Sequence, residues 1–377
     1  MKDFSIAFFV WGLSSDAITN IASALSQGFW RQKVSKIYVL YLNGSPAENT
    51  SFPQGVEFVH LGVHRARQAP LPIAQFLRTV KPTFLISLAF LNVPATLGWL
   101  LGGRRFTKLV ISQQNTLIYK TQIEHKGELL MQLQLWFARL LYSKANGLVT
   151  TTRLLLEELI NQVGISLPKK HTAVIPNLVD LTRVMAQAQV EPSHPWLKHK
   201  EKPVVLSVAR LAKQKNFSLL LRAFAEVRKR FDARLIIIGE GPEREKLEQL
   251  VNKLGLGQDV SLPGASENPW SSMARADVFV LPSEEEAFGL VLVEAMVCSL
   301  PVIATDAIAG GPRTILGDSQ YGLLVPNQDV KALENAIDKV LSIADLRAQL
   351  ITAGKQRCEA FSSEAVAQQW LSFLEQL

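Results

Sequence analysis

Residues 276–299 read ADVFVLPSEEEAFGLVLVEAMVCS, and the order of polarity in them sets the architecture. Ala276 to Ser283 is a short apolar run of β-formers closed by Pro282 and reads as a buried strand. A helix then starts near Phe288. Glu284 to Glu286 therefore occupy a strand-to-helix loop, at the sheet edge where parallel α/β proteins bind ligands. One more carboxylate, Glu294, stands two turns into that helix among apolar neighbours. A carboxylate so placed is costly unless it meets donors, and once ionised it can only accept. Ribose or sugar hydroxyls supply donors in pairs. The competing reading puts Glu294 on an exposed stripe; Glu284 and Glu285 are expected to be simply solvated.

The same strand-and-helix alternation extends in both directions. Upstream, strands are expected at Ser5 to Val10, Ile37 to Tyr41, Val56 to His60, Phe84 to Ser87, Leu109 to Ser112 and Gly147 to Thr150. A polar, proline-punctuated stretch, AQAQVEPSHPWLKHKEKP at 186–203, reads as a domain boundary. After it come PVVLSVAR, a helix from about Phe217 to Arg230, RLIIIG, a helix from Glu243 to Leu254, DVSLPG, PVIATD and GLLVP. The pattern predicts an α/β chain of two doubly wound Rossmann-like domains, 1–185 and 186–361, facing each other across a cleft.

Composition agrees with a folded chain of that size: 377 residues, 48% hydrophobic and 19% charged. Cys298 and Cys358 are the only cysteines, which leaves no disulfide framework and points to a reducing, cytoplasmic setting. The N-terminal MKDFSIAFFVWGLSS has a basic residue before an apolar run, but Asp3 and the lack of an A-x-A site favour a buried first strand over a secretory signal. Phe84 to Leu101 is barely long enough to span a bilayer and carries Asn92 and Pro94, so it reads as a strand, a turn and a buried helix. A dinucleotide dehydrogenase would need G-x-G-x-x-G after a strand. The first strand opens into WGLSSDA, and Gly239-Glu240-Gly241 has no third glycine. No P-loop and no Asp-x-Asp occurs, and no metal site is expected. The histidines His60, His64, His125, His171, His194 and His199 show no ligand spacing and read as structural or solvated.

Cations complete the constellation around the glutamates. The second domain's first strand runs into Ser207-Val208-Ala209-Arg210 and continues LAKQKNF, which puts Arg210 and Lys215 on the loop at the same sheet edge. Arginine offers a planar fork to phosphate oxygens and lysine a point charge. A helix N-terminus behind them adds free amides. Cations for a diphosphate, with carboxylates for the hydroxyls on either side, match the order of groups in a nucleotide sugar.

VARLAKQKN at 208–216 followed by SEEEAFGLVLVEAMVCSLPVIAT at 283–305 is similar to the donor-binding domain of retaining GT-B glycosyltransferases of family four, group 1. In that family an Arg and a Lys five apart precede a Glu-x7-Glu motif, here Glu286 and Glu294. Ile175-Pro176-Asn177 resembles the end of the acceptor domain, and Phe361-Ser362 the start of a last helix, 362–377, that returns to the first domain. The resemblance implies that 1–185 binds the acceptor and 186–361 the donor. It gives Glu286 the donor sugar, Glu294 the ribose, and the backbone of Phe288, Gly289 and Leu290 the sugar and diphosphate. Arg210 and Lys215 inherit the diphosphate. Such enzymes use the leaving phosphate to deprotonate the acceptor, so a dedicated protein base is not required.

Several positions depart from the family pattern. Gly12-Leu13-Ser14-Ser15-Asp16 keeps one glycine of a G-G-x-x-R turn and has an acid in place of the arginine. Gln113-Gln114-Asn115 stands where an E-H-N is common, leaving Gln114 able to bind a sugar hydroxyl but not to carry charge. Ala287 replaces a glycine, and Thr314 in GGPRTIL replaces a glutamate.

The expectation is a metal-independent, retaining transfer of a sugar from a nucleoside-diphosphate sugar, a UDP-sugar foremost, to an acceptor hydroxyl in polysaccharide or glycolipid synthesis. It needs no cofactor and no nucleic acid. A nucleotide-sugar epimerase of the same fold and a degenerate nucleotide-sugar-binding subunit are the alternatives. Residues 1–190 hold 19 Lys+Arg against 9 Asp+Glu, a net of +10. Clusters at Arg65-Arg67, Arg104-Arg105-Lys108 and Lys169-Lys170 suit peripheral contact with an anionic membrane and a lipid-linked acceptor, or simply serve solubility.

Overall fold

The computed structural model describes residues 2–13, 17–46, 52–88, 91–119, 121 and 129–377. Ser14, Ser15, Asp16 and His125 lie outside them. The chain divides into two compact units, Met1–Leu178 with Ser363–Leu377, and Val179–Ser362.

In the first unit, seven parallel strands pair in the order β3-β2-β1-β4-β5-β6-β7. They are β1 (Lys2–Phe9), β2 (Val34–Tyr41), β3 (Glu57–His60), β4 (Phe84–Leu88), β5 (Lys108–Gln113), β6 (Gly147–Thr150) and β7 (Thr172–Val174). The central strands are apolar on both faces, as a sheet covered by helices requires: every residue of β4 and β6 is buried. Register is set from the middle outward, with Ala7 opposite Leu85 and Leu85 opposite Leu109. Phe84 to Leu101 forms β4 and the helix Asn92–Gly102, which buries Pro94, Ala95 and Trp99. The Trp99 indole donates to Thr107 O at 2.6 Å.

The second unit repeats the design with six parallel strands, ordered β10-β9-β8-β11-β12-β13. These are β8 (Val204–Val208), β9 (Arg234–Ile238), β10 (Val260–Gly264), β11 (Val278–Leu281), β12 (Val302–Thr305) and β13 (Leu323–Val325). One apolar cluster, with Leu220, Phe224, Ile237 and Ile337, covers one face; the other, with Phe279, Phe288, Met296 and Phe361, covers the opposite face. Among these residues burial exceeds nine-tenths throughout. At about 25 cal/mol per Å² of apolar surface, clusters of this size supply most of each unit's stability.

The units divide earlier in the chain than the expected 185/186 boundary. The carboxylate of Asp180 accepts from Arg183 N–H and starts the helix Leu181–Ala188. That helix buries Val184 and Ala188 in the second unit, and Leu197 of the proline-rich stretch joins the same cluster. The polar, prolyl composition of 186–203 marks one short helix, Pro195–Lys198, capped by His194, and not a free linker.

The last helix, Ser363–Leu374, packs along the helix Ala17–Arg31 of the first unit. Gly28 makes this approach possible: a Cβ there would lie 2.5 Å from both Ala367 Cβ and Ser363 O. Val366, Trp370, Leu371, Phe373 and Leu374 are all buried.

Candidate active site

In the second sheet the chain moves outward from β8 to β9 and β10, then returns to the other side of β8 with β11. The carboxyl ends of β8 and β11 thus form the topological switch point, where neighbouring loops diverge and leave a crevice. The two loops carrying the predicted charges are the ones that leave these strands.

After β8 the chain passes Ala209 and Arg210 and enters a single 3₁₀ turn, Lys213–Lys215. Asn216, in the left-handed region at φ 47°, ends it and begins the helix Phe217–Arg228. After β11, Ser283 to Gly289 lead into the helix Leu290–Val297. Lys215 Nζ and a carboxylate oxygen of Glu286 form an ion pair across the two loops. The Ser283 hydroxyl donates to the same oxygen of Glu286 at 3.2 Å. The side chains of Lys215 and Glu286 are 20% and 13% exposed, so solvent screens the pair only weakly. The loops are also tied through backbone, with Glu284 N–H donating to Gln214 O at 2.8 Å. Thr305 Oγ1 donates to Ser283 O at 2.6 Å and anchors the turn from β12.

Arg210 is exposed and its guanidinium makes no ion pair or hydrogen bond among the described residues. Its backbone is held firmly. Leu211 N–H donates to Glu240 O at 2.8 Å, and Glu243 N–H to Leu211 O at 3.0 Å. Gly239 and Gly241 allow this contact, because a Cβ on Gly239 would lie 1.9 Å from Ala209 O and one on Gly241 2.4 Å from Leu211 O. These two glycines, which fail as a dinucleotide fingerprint, serve to let two backbones touch.

All three glutamates of the loop are half-buried, so Glu284 and Glu285 are not the freely solvated groups expected of them. The Phe288 side chain is buried against Phe361, rings 5.6 Å apart and edge to face. Only its backbone is available to a ligand. Gly289, with φ 92°, begins the helix in a conformation suited to glycine. Leu290 follows it, half-buried. Gly311 packs against this turn: its N–H donates to Glu286 O at 3.1 Å, and a Cβ there would lie 2.5 Å from Glu286 O and from Phe288 N and Cα. The GGPRTIL stretch thus shapes the glutamate loop, a role its sequence does not signal.

Glu294 has different company. It lies on a half-buried stripe of its helix with Leu290, Val291 and Val297. Burial pushes its carboxyl pKa up, while Trp270 and the Arg183 guanidinium pull it partly back. The Trp270 indole N–H is buried and completes no hydrogen bond of ordinary geometry among the described residues. Arg183 lies over the Trp270 ring, 5.5 Å from its centroid. The Cys298 thiol, pushed up to about 12 by burial and then by Glu294, stays protonated. Glu294 and Glu286 share no partner among the described residues. Arg183 and Trp270 were not legible as site residues; the Asn268-Pro269 helix start ahead of Trp270 is the one local signal.

Gly12 and Gln114 belong to the first unit, at the carboxyl edge of its sheet, after β1 and β5. Gly12 bridges to Asn43, whose carbonyl would be 3.1 Å from a Cβ at Gly12. Gln114 Nε2 donates to Ser112 Oγ at 2.7 Å, and its Oε1 is buried without a partner among the described residues. Beside it, Gln113 Nε2 donates to Asn115 O, while its Oε1 accepts from Asn92 and Tyr142. The stretch in place of E-H-N is thus an uncharged polar network with acceptor capacity to spare. His60 is structural: Gly62 N–H donates to Nδ1 and Nε2 meets Leu42 O.

Among the described residues no three His, Cys, Asp or Glu side chains gather as a metal site. No described helix is long and apolar enough to cross a membrane.

The family model for glycosyl transferases group 1 matches residues 191–357, which include Arg210, Lys215, Glu286 and Glu294 but neither Arg183 nor Phe361. An N-acetylgalactosamine-N,N'-diacetylbacillosaminyl-diphospho-undecaprenol 4-alpha-N-acetylgalactosaminyltransferase of Campylobacter jejuni is 32% identical over 76% of this chain and 74% of its own length. The chain belongs to the group 1 glycosyl transferases. It is a glycosyltransferase, moving a sugar to an acceptor, and neither the epimerase nor the binding-subunit reading is favoured. The lipopolysaccharide core biosynthesis glycosyltransferase LpsE of Rhizobium meliloti is 30% identical over 55% of this chain and 58% of its own. Among solved structures, Anabaena HepE in complex with UDP and glucose superposes with a TM-score of 0.78 at 21% identity, covering 99% of this chain and 100% of that one. Sucrose-phosphate synthase from Thermosynechococcus elongatus does so with a TM-score of 0.78, at 21% identity over 99% and 98%. These likenesses give the chain the GT-B fold.

Proposed function

We propose that this glycosyltransferase takes a sugar from a UDP-sugar and passes it, with retention and without a metal, to a hydroxyl of a lipid-linked saccharide. The observation that carries the reading is the Lys215–Glu286 pair spanning the switch point between β8 and β11, with the exposed Arg210, unpaired among the described residues, on the same loop as Lys215. A diphosphate arriving there competes with Glu286 for the lysine. As Lys215 turns to the phosphate, Glu286 is released to accept from sugar hydroxyls, and Ser283 keeps it oriented. Arg210 and Lys215 then stabilise charge growing on the leaving nucleoside diphosphate. Glu294, with Arg183 and Trp270 around it, takes the ribose hydroxyls, which are the donors its half-buried carboxylate lacks. In the first unit, Gln114 and the turn at Gly12 receive the acceptor. The acceptor proton passes to the leaving phosphate, so the proposed route calls on no protein side chain as base.

UDP as the donor nucleotide is supported by the HepE complex with UDP and glucose, and a lipid-linked acceptor by the diphospho-undecaprenol named for the Campylobacter relative. The test is an assay of UDP-sugars against polyprenyl-diphosphate saccharides with excess EDTA, the product read by proton NMR. Transfer with the donor's anomeric configuration kept is the expected result. Loss of activity with EDTA or an inverted product would overturn the mechanism.

A further inference from the structure

The helix Leu129–Leu141, LLMQLQLWFARLL, is apolar on more than the side that faces the core. Ala138 and Leu135 pack inward. Leu133, Trp136, Phe137 and Leu140 point away and are 41%, 54%, 37% and 46% exposed. Their spacing of i, i+3, i+4 and i+7 makes one continuous stripe. The rings of Trp136 and Phe137 touch, centroids 5.1 Å apart, so the two act as one surface. Exposed apolar stripes of this kind are unusual on a chain that works alone in water.

The charge along the stripe's own helix and the segment after it is basic, between Glu128 and Glu157. From Leu129 to Leu156 the sequence has Arg139, Lys144 and Arg153 and no acidic residue. The helix Asn92–Gly102 lies against both this helix and the turn Tyr142–Lys144. Its far end presents Leu101 and Phe106, 51% and 52% exposed, beside the exposed Arg104 and Arg105. Arg65 and Arg67 follow the carboxyl end of β3, whereas Arg104 and Arg105 precede β5, Lys108 opens it, and Lys169 and Lys170 precede β7, all at amino ends. The basic clusters of the first unit therefore occupy opposite edges of a parallel sheet. Net charge alone marks no docking face, but the apolar stripe with its basic rim does.

We propose that the stripe Leu133, Trp136, Phe137 and Leu140, rimmed by Arg139, Lys144, Arg104 and Arg105, docks the enzyme on an anionic lipid leaflet. The aromatic and leucyl side chains enter the boundary between headgroups and acyl chains, and the basic rim meets the headgroup charge. The inference rests on the lipid-linked acceptor proposed above and assigns the surface that reaches it. Within Leu129 to Leu156 no carboxylate offsets the basic side chains, which favours an anionic surface as the occupant.

The test uses the full chain, sedimented with vesicles of phosphatidylcholine alone or with phosphatidylglycerol, at low and high salt. Wild type should pellet with the anionic vesicles at low salt and be released in large part at high salt. Trp136→Gln with Phe137→Gln should weaken that binding by roughly a hundredfold, from the apolar area withdrawn. Arg139→Glu should weaken it for anionic vesicles only. UDP-dependent thermal stabilisation of each variant shows that it is folded. Failure of wild type to pellet, or equal pelleting of the aromatic variant, would overturn the docking face. A wild-type dimer that the aromatic variant turns into a monomer would assign the stripe to a second copy and overturn it too. Absence of any response to UDP or UDP-sugars, with vesicle binding intact, would instead remove the donor reading and leave the docking face standing.

Discussion

Two carboxylates in one motif meet different electrostatics. Glu286 is neutralised by Lys215 and oriented by Ser283, so removing the lysine strands a mostly buried charge. Lys215→Ala is expected to lower transfer roughly 10²–10³-fold through lost leaving-group stabilisation. It should also cost about 1–3 kcal/mol in urea denaturation. Arg210→Ala should show a rate loss of similar size with stability unchanged, because Arg210 is exposed and unpaired among the described residues. Near-normal turnover in both would remove the diphosphate assignment. Glu294 is raised by burial, so the folded state holds its proton more tightly than the unfolded chain. Its contribution to stability is full below the ordinary value of 4.5 and is lost as pH rises through the folded pKa. Glu294→Gln cannot ionise and should flatten this decline, so the variant gains on wild type between acid and neutral pH while binding UDP more weakly. Parallel stability-versus-pH curves for the two proteins, or unchanged UDP affinity, would count against the assignment.

At the scale of elements, the strand-and-helix alternation was legible because apolar runs and amphipathic runs differ in period. What escaped was set by contacts between distant segments. β7 has three residues, Thr172–Val174, too few to show a period, and it exists because β6 offers it an edge. The stretch 186–203 carries every mark of a linker, yet its helix Pro195–Lys198 is capped by His194 and buries Leu197. The positions of Arg210, Lys215 and the glutamates could be read from strand ends. Trp270 and Arg183 could not, since nothing in their local sequence says which carboxylate they will meet. Glycines that fix loop against loop were equally silent. Gly239→Ala should push Ala209 and Arg210 out of place, and Gly311→Ala should displace the Glu286–Phe288 backbone. Each is expected to destabilise the protein by about 1–3 kcal/mol and to lower activity beyond that loss. Measured melting temperatures within a degree of wild type would show that the backbones yield more easily than their packing implies.

For the whole molecule, the return of Ser363–Leu374 to the first unit has the largest energetic weight. It covers the helix Ala17–Arg31 with Trp370, Leu371, Phe373 and Leu374, each buried. Side chains of this kind contribute roughly 1.5–3 kcal/mol apiece, together comparable with the 5–15 kcal/mol that holds a whole domain folded. A chain ending at Ser362 should therefore keep a protease-resistant second unit and lose the first. Equal resistance of both units would refute that ranking. The same return crosses at a fixed place, where Val179 N–H donates to Phe361 O at 2.9 Å and Val179 pairs with Ser362. This has a consequence for synthesis on the ribosome. Residues 1–178 emerge first but lack one wall of their core until 363–377 have been made, by which time Val179–Ser362 has all its own strands. The half of the protein translated later is thus expected to fold earlier, and the nascent first half must wait, with its Gly28 face bare, for residues 363–377.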